Sequence, residues 1–363
     1  MRKYKLGDIC EIVSGSTPKT GIDEYWDGDV KWITPAELND DTYIINDSVR
    51  KITELAVKKT GLSPFPEGTV ILSSRAPIGK VAIAGCKMYC NQGFKNLICS
   101  EKINNKYLYW FLKSNTDYLK SLGRGATFKE ISKGIVSEIE INVPEIRKQV
   151  ETVAILEKVS KVIALRKQEI SALDDLIKAR FVEMFGDVKH EEKYKGIPLR
   201  ELCFTMSGGT PSTKNTEYYE GNIPWITTVS LGPNHIDGST AKGYITQEAI
   251  KNSATKLIPA GNILFGTRVG VGKSSINDVD ICTNQDIIAI IGIDENRFNR
   301  VFIKHVLDDY QPYYDSLKKG ATILGITSDD LKDTLIPDAP IDVQAEFVAF
   351  VDQVDKSKFM KSF

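Results

Sequence analysis

From Glu145 to Phe185 the chain holds no Gly and no Pro, and Leu156, Ile163, Ile170, Ile177 and Met184 recur every seven positions. Val159 and Leu173 add the second seam position, while Arg166 and Arg180 interrupt it. A heptad pattern over about four repeats predicts a coiled-coil helix. Pro144 suits its start and Gly186 its stop. About forty helical residues span about 60 Å, longer than one domain, which favours a spacer over a domain-packing helix. On either side the texture changes to short strand-like runs broken by Gly, Pro and Asn/Asp turns. Examples are Val30–Thr34, Thr69–Ser73 and Lys80–Ala84, followed by a helical pattern over Lys106–Leu112.

The two flanking stretches are copies of each other. At an offset of 193, Ser14-Gly15-Ser16-Thr17-Pro18 falls on Ser207-Gly208-Gly209-Thr210-Pro211. Trp32-Ile33-Thr34 falls on Trp225-Ile226-Thr227, and Pro66-Glu67-Gly68 on Pro259-Ala260-Gly261. Arg75 with Gly79-Lys80 falls on Arg268 with Gly272-Lys273, and Asn91-Gln92 on Asn284-Gln285. No gap is needed from Leu6 to Gln92, and roughly two dozen positions are identical, several times chance. Beyond that the offset is 195: Gly125-Ala126-Thr127 matches Gly320-Ala321-Thr322, and Gln149 matches Gln344. Units of this size make domains, not a solenoid.

A shorter counterpart of the long helix follows the second copy: after Pro340 come Gln344, Phe347, Val348, Phe350, Val351 and Val354. By the 195 offset Phe363 aligns with Gln168, so residues 169–185 have no intrachain equivalent. The expected organisation is a first domain over 1–144, a spacer helix over 145–186, a second domain over 187–339 and a shortened helix over 340–363. The expected fold class is α+β: two similar mixed-sheet domains separated by long antiparallel coiled-coil helices, in a pseudo-twofold arrangement. The distal half of the first helix is expected to be unpaired within the chain.

Bulk composition agrees with two folded domains: 363 residues, 42% hydrophobic and 26% charged. No run approaches 18 apolar residues, and the N-terminus lacks the apolar stretch of a secretion signal, so a cytoplasmic protein is expected. Six cysteines without a CxxC pair read as reduced thiols, and three scattered histidines argue against zinc. The formal net charge of −1 is unusual for a stand-alone DNA binder; either the basic residues cluster or a partner supplies phosphate contacts.

Candidate chemistry is excluded motif by motif. Gly270-Val271-Gly272-Lys273-Ser274 resembles a phosphate-binding loop, but the first glycine such a loop requires is Thr267. The first copy, Arg75-Ala76-Pro77-Ile78-Gly79-Lys80-Val81, has no glycine arc at all. No Asn-Pro-Pro-Tyr motif of an adenine methylase occurs; Asn222-Ile223-Pro224-Trp225 is a distant echo. The cofactor-binding glycine fingerprint, a Glu-x-Lys nuclease core after Pro337-Asp338, and a Ser/His/Asp triad common to both copies are also missing. A non-catalytic chain is expected.

Two copies of a Ser-Gly-x-Thr-Pro loop, a Trp-Ile-Thr strand, an Arg-x3-Gly-Lys segment, an Asn-Gln pair and a Gly-Ala-Thr loop, each followed by a heptad helix, resemble the specificity subunit of Type I restriction–modification enzymes. The resemblance covers nearly the whole chain, and the order of its motifs in duplicate is more specific than any one motif. It implies two target-recognition domains, each reading half of a bipartite site in double-stranded DNA, with helices that act as ruler and dock. Modification subunits carrying S-adenosylmethionine would methylate adenine, and restriction subunits would supply ATP- and Mg-dependent translocation and cleavage. This chain itself would hold no cofactor. The short C-terminal helix departs from the pattern and puts the intrachain ruler in doubt. A two-lobed protein-interaction module without DNA readout is the rival reading.

If two domains read different sequences, side chains shared between them cannot supply the difference; they hold the fold or grip the backbone. Residues that differ at equivalent positions are the candidates for base edges. Among shared residues, Arg75 and Arg268 with Lys80 and Lys273 are candidate phosphate contacts, or equally surface ion pairs. Thr17 and Thr210 are expected to serve turns, Trp32 and Trp225 the core. Asn91-Gln92 and Asn284-Gln285 either grip DNA or tie a loop. The Gly-Ala-Thr loops are the favoured DNA contacts, with Thr127 and Thr322 at their tips and Lys120, Arg124, Lys129, Lys318 and Lys319 around them. Candidate base readers are Lys19 opposite Ser212 and its neighbour Thr213, Ser73-Ser74 opposite Gly266-Thr267, and Phe128-Lys129 opposite Ile323-Leu324. Ile163, Ile170, Leu173, Ile177 and Phe181 form the apolar stripe expected to bind a modification subunit or a second copy of the chain.

Overall fold

A computed structural model describes residues 2–125, 129–187, 193–320 and 324–361. The chain forms two compact units, 1–164 and 165–363.

The first unit begins with β1 (Arg2–Lys5), which pairs antiparallel with β10 (Glu140–Val143) and so ties the start of the domain to its end. Its main sheet has the order β2 (Cys10–Ser14), β9 (Phe94–Cys99), β6 (Val70–Ser73), β7 (Val81–Ala84), β4 (Ile44–Ile45). All neighbours are antiparallel except β4 and β7, so the sheet is mixed. A smaller sheet joins β5 (Lys51–Ile52), β3 (Trp26–Ile33) and β8 (Tyr89–Cys90).

β6 and β7 are buried on both faces, which is why they read as continuous apolar runs rather than alternating ones. The period of two still sorts their side chains. Val70, Leu72, Val81 and Ile83 enter a core that also holds Leu108, Tyr109 and Leu112 of helix α3 (Asn105–Ser114). Ile71, Ala82 and Ala84 enter a second core with Ile33 and Phe65. α1 (Leu6–Ile9), α2 (Glu54–Thr60), α4 (Thr116–Ser121) and α5 (Lys133–Ser137) are short helices on the same scaffold.

The second unit repeats this plan. β11 (Gly196–Pro198) pairs with β20 (Leu335–Pro337). The main sheet runs β12 (Phe204–Ser207), β19 (Ile287–Ile291), β16 (Ile263–Gly266), β17 (Ser274–Asn277), β14 (His235–Ile236). The small sheet is β15 (Gly243–Ile245), β13 (Ile223–Ile226), β18 (Cys282–Thr283). Ile263 and Phe265 face one core and Leu264 the other, as in the first copy. Helices α7 (Gln247–Lys251), α8 (Arg300–Asp309), α9 (Gln311–Leu317) and α10 (Ser328–Lys332) follow the same order.

The predicted long helix is α6 (Ile146–Phe185), and its counterpart is α11 (Ile341–Lys361). Each is clamped to its domain by a buried glutamine. The Gln149 Oε1 accepts from the Asn104 amide at 2.8 Å, and its Nε2 donates to the carbonyls of Lys102 and Pro144 at 3.1 and 2.8 Å. Gln344 repeats all three bonds with Asn299, Arg297 and Ala339 at 2.8, 3.0 and 2.8 Å. The same asparagines cap α3 and α8: each side chain accepts two amides of the first turn.

The expectation that residues 169–185 stand unpaired is corrected. Within the second unit this segment packs against α11: Arg180 pairs with Glu346 at 2.7 Å and Asp174 with Lys358 at 2.7 Å, an antiparallel pairing. Ile177 is 5% and Phe181 3% exposed, in one core with Phe185, Phe302, Phe347 and Val351, while Leu173 packs on its edge. Ile170 is half-buried. The exposed stripe lies earlier on the helix, with Ile155 63% and Ile163 52% exposed beside Val159, Val162 and Leu165. The reason is aromatic: Phe181 and Phe185 lie within about 5.5 Å of Phe347, ring to ring, and such large side chains dominate burial. Alignment by offset alone could not show which half of α6 these phenylalanines would claim.

Candidate nucleic-acid interface

In each unit equivalent residues, several of them identical, join four chain segments into one ridge. The first is the turn after the edge strand. A Cβ on Gly15 would lie 2.1 Å from the Asn91 carbonyl oxygen, and one on Gly208 2.2 Å from that of Asn284. Only glycine permits this approach. It lets the Ser16 amide reach the Cys90 carbonyl at 3.0 Å and the Gly209 amide the Thr283 carbonyl at 2.8 Å. The indole of Trp32 donates to the Ser16 carbonyl at 3.0 Å, and that of Trp225 to the Gly209 carbonyl at 3.1 Å. Both tryptophans are buried, as expected.

The Asn-Gln segment is the second. Thr17 donates to the Gln92 side-chain oxygen, and Thr210 to that of Gln285 at 2.5 Å. In both units this glutamine oxygen ties the Asn-Gln segment to the first turn. The third segment follows β6 or β16. The Ser74 amide donates to the Gly93 carbonyl at 2.7 Å, and the Thr267 amide to the Asp286 carbonyl at 2.8 Å. The fourth is formed by the residues on either side of the Gly-Ala-Thr segment. Arg124 and Glu130 exchange two backbone bonds at 3.0 and 2.9 Å, as do Lys319 and Gly325 at 2.9 and 3.0 Å. Each hairpin hangs on the third segment through Ile131 to Ser74, or Ile326 to Thr267, both at 2.9 Å. Gly125 and Gly320 have φ of +130° and +144°, a region that excludes side chains.

The ridge places most of the candidates at the surface and three of them inside. Lys19, Arg124 and Lys129 of the first unit are exposed, as are Thr213, Arg268, Lys273 and Lys319 of the second. Arg75 and Arg268 each make a long ion pair, to Glu130 at 3.8 Å and to Asp286 at 3.7 Å. Lys318 is held by Asp315, whose carboxyl is drawn below its usual range first by that hydrogen bond. Thr127 and Thr322 lie outside the described residues.

Three expectations are corrected. Ser74 is fully buried and its hydroxyl accepts from Lys95 at 3.2 Å. Thr267 is buried and donates to the Asp286 carbonyl at 3.1 Å. Both side chains are buried where their backbone amides and carbonyls join two ridge segments. Lys80 turns inward and donates to the carbonyls of Pro35 and Leu38, whereas Lys273 at the equivalent position is exposed.

Lys95 escaped the sequence reading. It is buried, and its ammonium bridges Ser74 and Glu130, the latter at 3.1 Å. The run Phe94-Lys95-Asn96-Leu97 gives no sign that its lysine turns inward, and the second unit has Ile288 there. Beneath α6, Lys106 and the Tyr43 hydroxyl both donate to Glu157, at 2.9 and 2.6 Å, and together hold its carboxyl below the usual range. Among the described residues no group of three or more His, Cys, Asp or Glu gathers as a metal site.

Comparison with known proteins agrees with this duplicated geometry. The family model described as the Type I restriction modification DNA specificity domain matches twice, over residues 1–174 and 191–361. The chain belongs to this family. The specificity subunit of the Type I restriction enzyme MjaIX from Methanocaldococcus jannaschii is 34% identical over 280 residues, covering 72% of this chain and 64% of that protein. The EcoR124I/EcoR124II specificity subunit of Escherichia coli is 34% identical over 164 residues, 43% of this chain and 40% of the relative. The chain therefore spans less than two thirds of the length of these relatives. Two solved structures share the fold of this DNA specificity family member. One, from work on complex assembly and conformational transition of the type I R-M system, has a TM-score of 0.59 at 19% identity, covering 99% and 92% of the two chains. The S subunit from M. genitalium gives 0.55 at 13% identity, covering 99% and 91%. Among the described residues no helix is long and apolar enough to cross a membrane.

Proposed function

We propose that this chain is the DNA-reading specificity subunit of a Type I restriction–modification assembly and carries no catalytic centre of its own. Each ridge grips one half of a bipartite duplex target. The exposed cations Arg124, Lys129, Lys273 and Lys319 contact phosphates, while Lys19 and Thr213 read base edges. The observation that carries the reading is a ridge built twice from the same hydrogen bonds, with different side chains displayed on it.

In the same reading α6 sets the number of untouched base pairs between half-sites. Its apolar stripe around Ile155, Val159, Val162 and Ile163 docks a modification subunit or a second copy of the chain. S-adenosylmethionine binds to the modification subunits, and ATP and Mg to the restriction subunits. The family membership and the 34% identity to a named specificity subunit support the DNA-reading role.

The test is binding to a pool of duplexes at two salt concentrations, with and without a modification subunit, followed by sequencing of what is retained. Recovery of a two-part sequence with a fixed gap, with affinity falling steeply as salt rises, is the expected result. Retention of no common sequence in the presence of the modification subunit refutes the reading. Methyl transfer by the purified chain alone refutes the non-catalytic role.

A further inference from the structure

Cys10 opens β2 and Cys99 closes β9, and the two are directly opposite each other in the antiparallel ladder. The Ser100 amide donates to the Ile9 carbonyl at 2.9 Å. Position 9/100 is therefore hydrogen-bonded, and 10/99 is the adjacent pair without such bonds. In a pair of that kind the Cα atoms approach to about 4.5 Å and both side chains stand on one face. Burial agrees: Cys10 belongs to the core beneath α3, and Cys99 packs against the same cluster. Cys10 has regular extended backbone, φ −138° and ψ 140°, and the register runs unbroken from Cys10 to Ser14. A disulfide requires Cα atoms about 4.4–6.8 Å apart, so closure needs no shift of register. Both thiols are free.

We propose that Cys10 and Cys99 form a reversible oxidation site whose co-reactant is a small-molecule disulfide such as glutathione disulfide. Cys99 is half-exposed and Cys10 buried, so Cys99 reacts first. Its thiolate attacks one sulfur of the small disulfide, that S–S bond breaks, and one small thiolate leaves. Cys10 then loses its proton, its sulfur attacks the Cys99 sulfur, and the second small thiolate leaves. Two protein thiols are oxidised, and one small disulfide is reduced to two thiols. While Cys99 is a thiol, its hydrogen bond and burial hold the Cys10 thiol well above its usual range, so Cys10 does not start the reaction.

The site belongs to the first unit alone, because positions 203 and 292 of the second hold Cys203 and Gly292. Closure fixes the edge strand that runs directly into the Ser14–Pro18 turn of the ridge, so it restrains one reader and leaves the other unchanged.

The experiment incubates the folded full chain with glutathione disulfide, maps peptides without reduction, and repeats both steps with Cys10→Ser. Cys86, half-exposed on the same unit, reports that the reagent has reached the protein. The expected results are a Cys10–Cys99 linked peptide in the native sequence and an accumulated glutathione adduct on Cys99 in Cys10→Ser. The bridge encloses 88 residues (99 − 10 − 1), so the first unit should also melt several degrees higher until dithiothreitol is added. A stable adduct on Cys99 of the native sequence, or free thiols at both positions once Cys86 has reacted, overturns the proposal. A bridge that forms equally well in urea assigns it to the unfolded chain and overturns it too.

Discussion

The two units share a scaffold and differ in what they display. The bonds from Ser16, Thr17 and Trp32 recur at Gly209, Thr210 and Trp225 with nearly the same lengths. The same hairpins, however, carry Arg124, Lys129 and Glu130 in one unit and Lys319, Leu324 and Gly325 in the other. Identity between the copies marks what the fold needs, and divergence marks what the surface presents. Lys80 and Lys273 show the limit of that rule. They are the same residue at the same position, yet one is spent on the carbonyls of Pro35 and Leu38 while the other reaches solvent.

The largest expected effects fall on the shared scaffold and should be equal in the two units. Gly15→Ala and Gly208→Ala each drive a methyl into backbone carbonyls that cannot yield. Each should cost about 4 kcal/mol in the unit concerned, read as loss of amide exchange protection there. If either variant keeps its protection, the turn is not held as described. Gln149→Ala and Gln344→Ala come next. Each removes three hydrogen bonds from a fully buried side chain and strands their partners, at about 3 kcal/mol. Denaturant unfolding followed domain by domain should give matching losses. A large cost for one and none for the other would show that the two helix roots are not equivalent.

Much of this was legible in the sequence because it was written twice. The duplication located the ridge segments, and Pro144 and Gly186 around the heptads located α6 to within a residue at each end. What stayed hidden depends on side-chain direction. Ser74 and Thr267 look like polar loop residues, and only the folded chain shows their amides and carbonyls spent on joining two neighbours. Lys95 shares a face with Leu97 in a strand buried on both sides, where a charged side chain is not expected. The heptads predicted an apolar seam along all of α6 without distinguishing the half that joins Phe347 and Val351 from the half that stays bare. Apolar spacing is the same in both halves, and what decides is the aromatic pair Phe181 and Phe185.

The helix behind the main sheet sharpens the comparison in a different way. Trp110 of α3 is replaced at the equivalent position by His305 of α8, and each has a buried ring nitrogen without a hydrogen-bond partner. Burial, helped by Lys304 and opposed by Asp308 and Asp355, lowers the His305 pKa to about 4. The unfolded chain takes up this proton near pH 6.5, so between about 6.5 and 4 the unfolded state binds more protons. The stabilising contribution is complete above that window and is lost as pH falls through it. At pH 5 the second unit should be about 2 kcal/mol less stable than at pH 7 from this group alone, while the first has no such group at this position. His305→Phe should flatten the profile of the second unit over pH 7 to 5. An unchanged slope would assign the acid sensitivity to carboxylates.

The smallest expected effects concern the displayed side chains, where the units must differ if each reads its own half-site. Arg124 and Lys129 flank the first hairpin, but Leu324 replaces the second cation in the other unit. Each phosphate contact contributes about one to the slope of log affinity against log salt. Replacing Arg124 and Lys129 by Gln should therefore lower the slope by about two and weaken binding about equally for all sequences. Lys319→Gln should lower it by about one. Leu324→Lys adds a cation where the first unit already has one, and should raise the slope of the second half-site without changing the sequence selected. If Leu324→Lys instead changes the bases preferred in that half-site, the hairpin tip reads sequence. Position 324 would then belong with Lys19 and Thr213 among the reading residues rather than with Arg124 and Lys319 among the gripping ones.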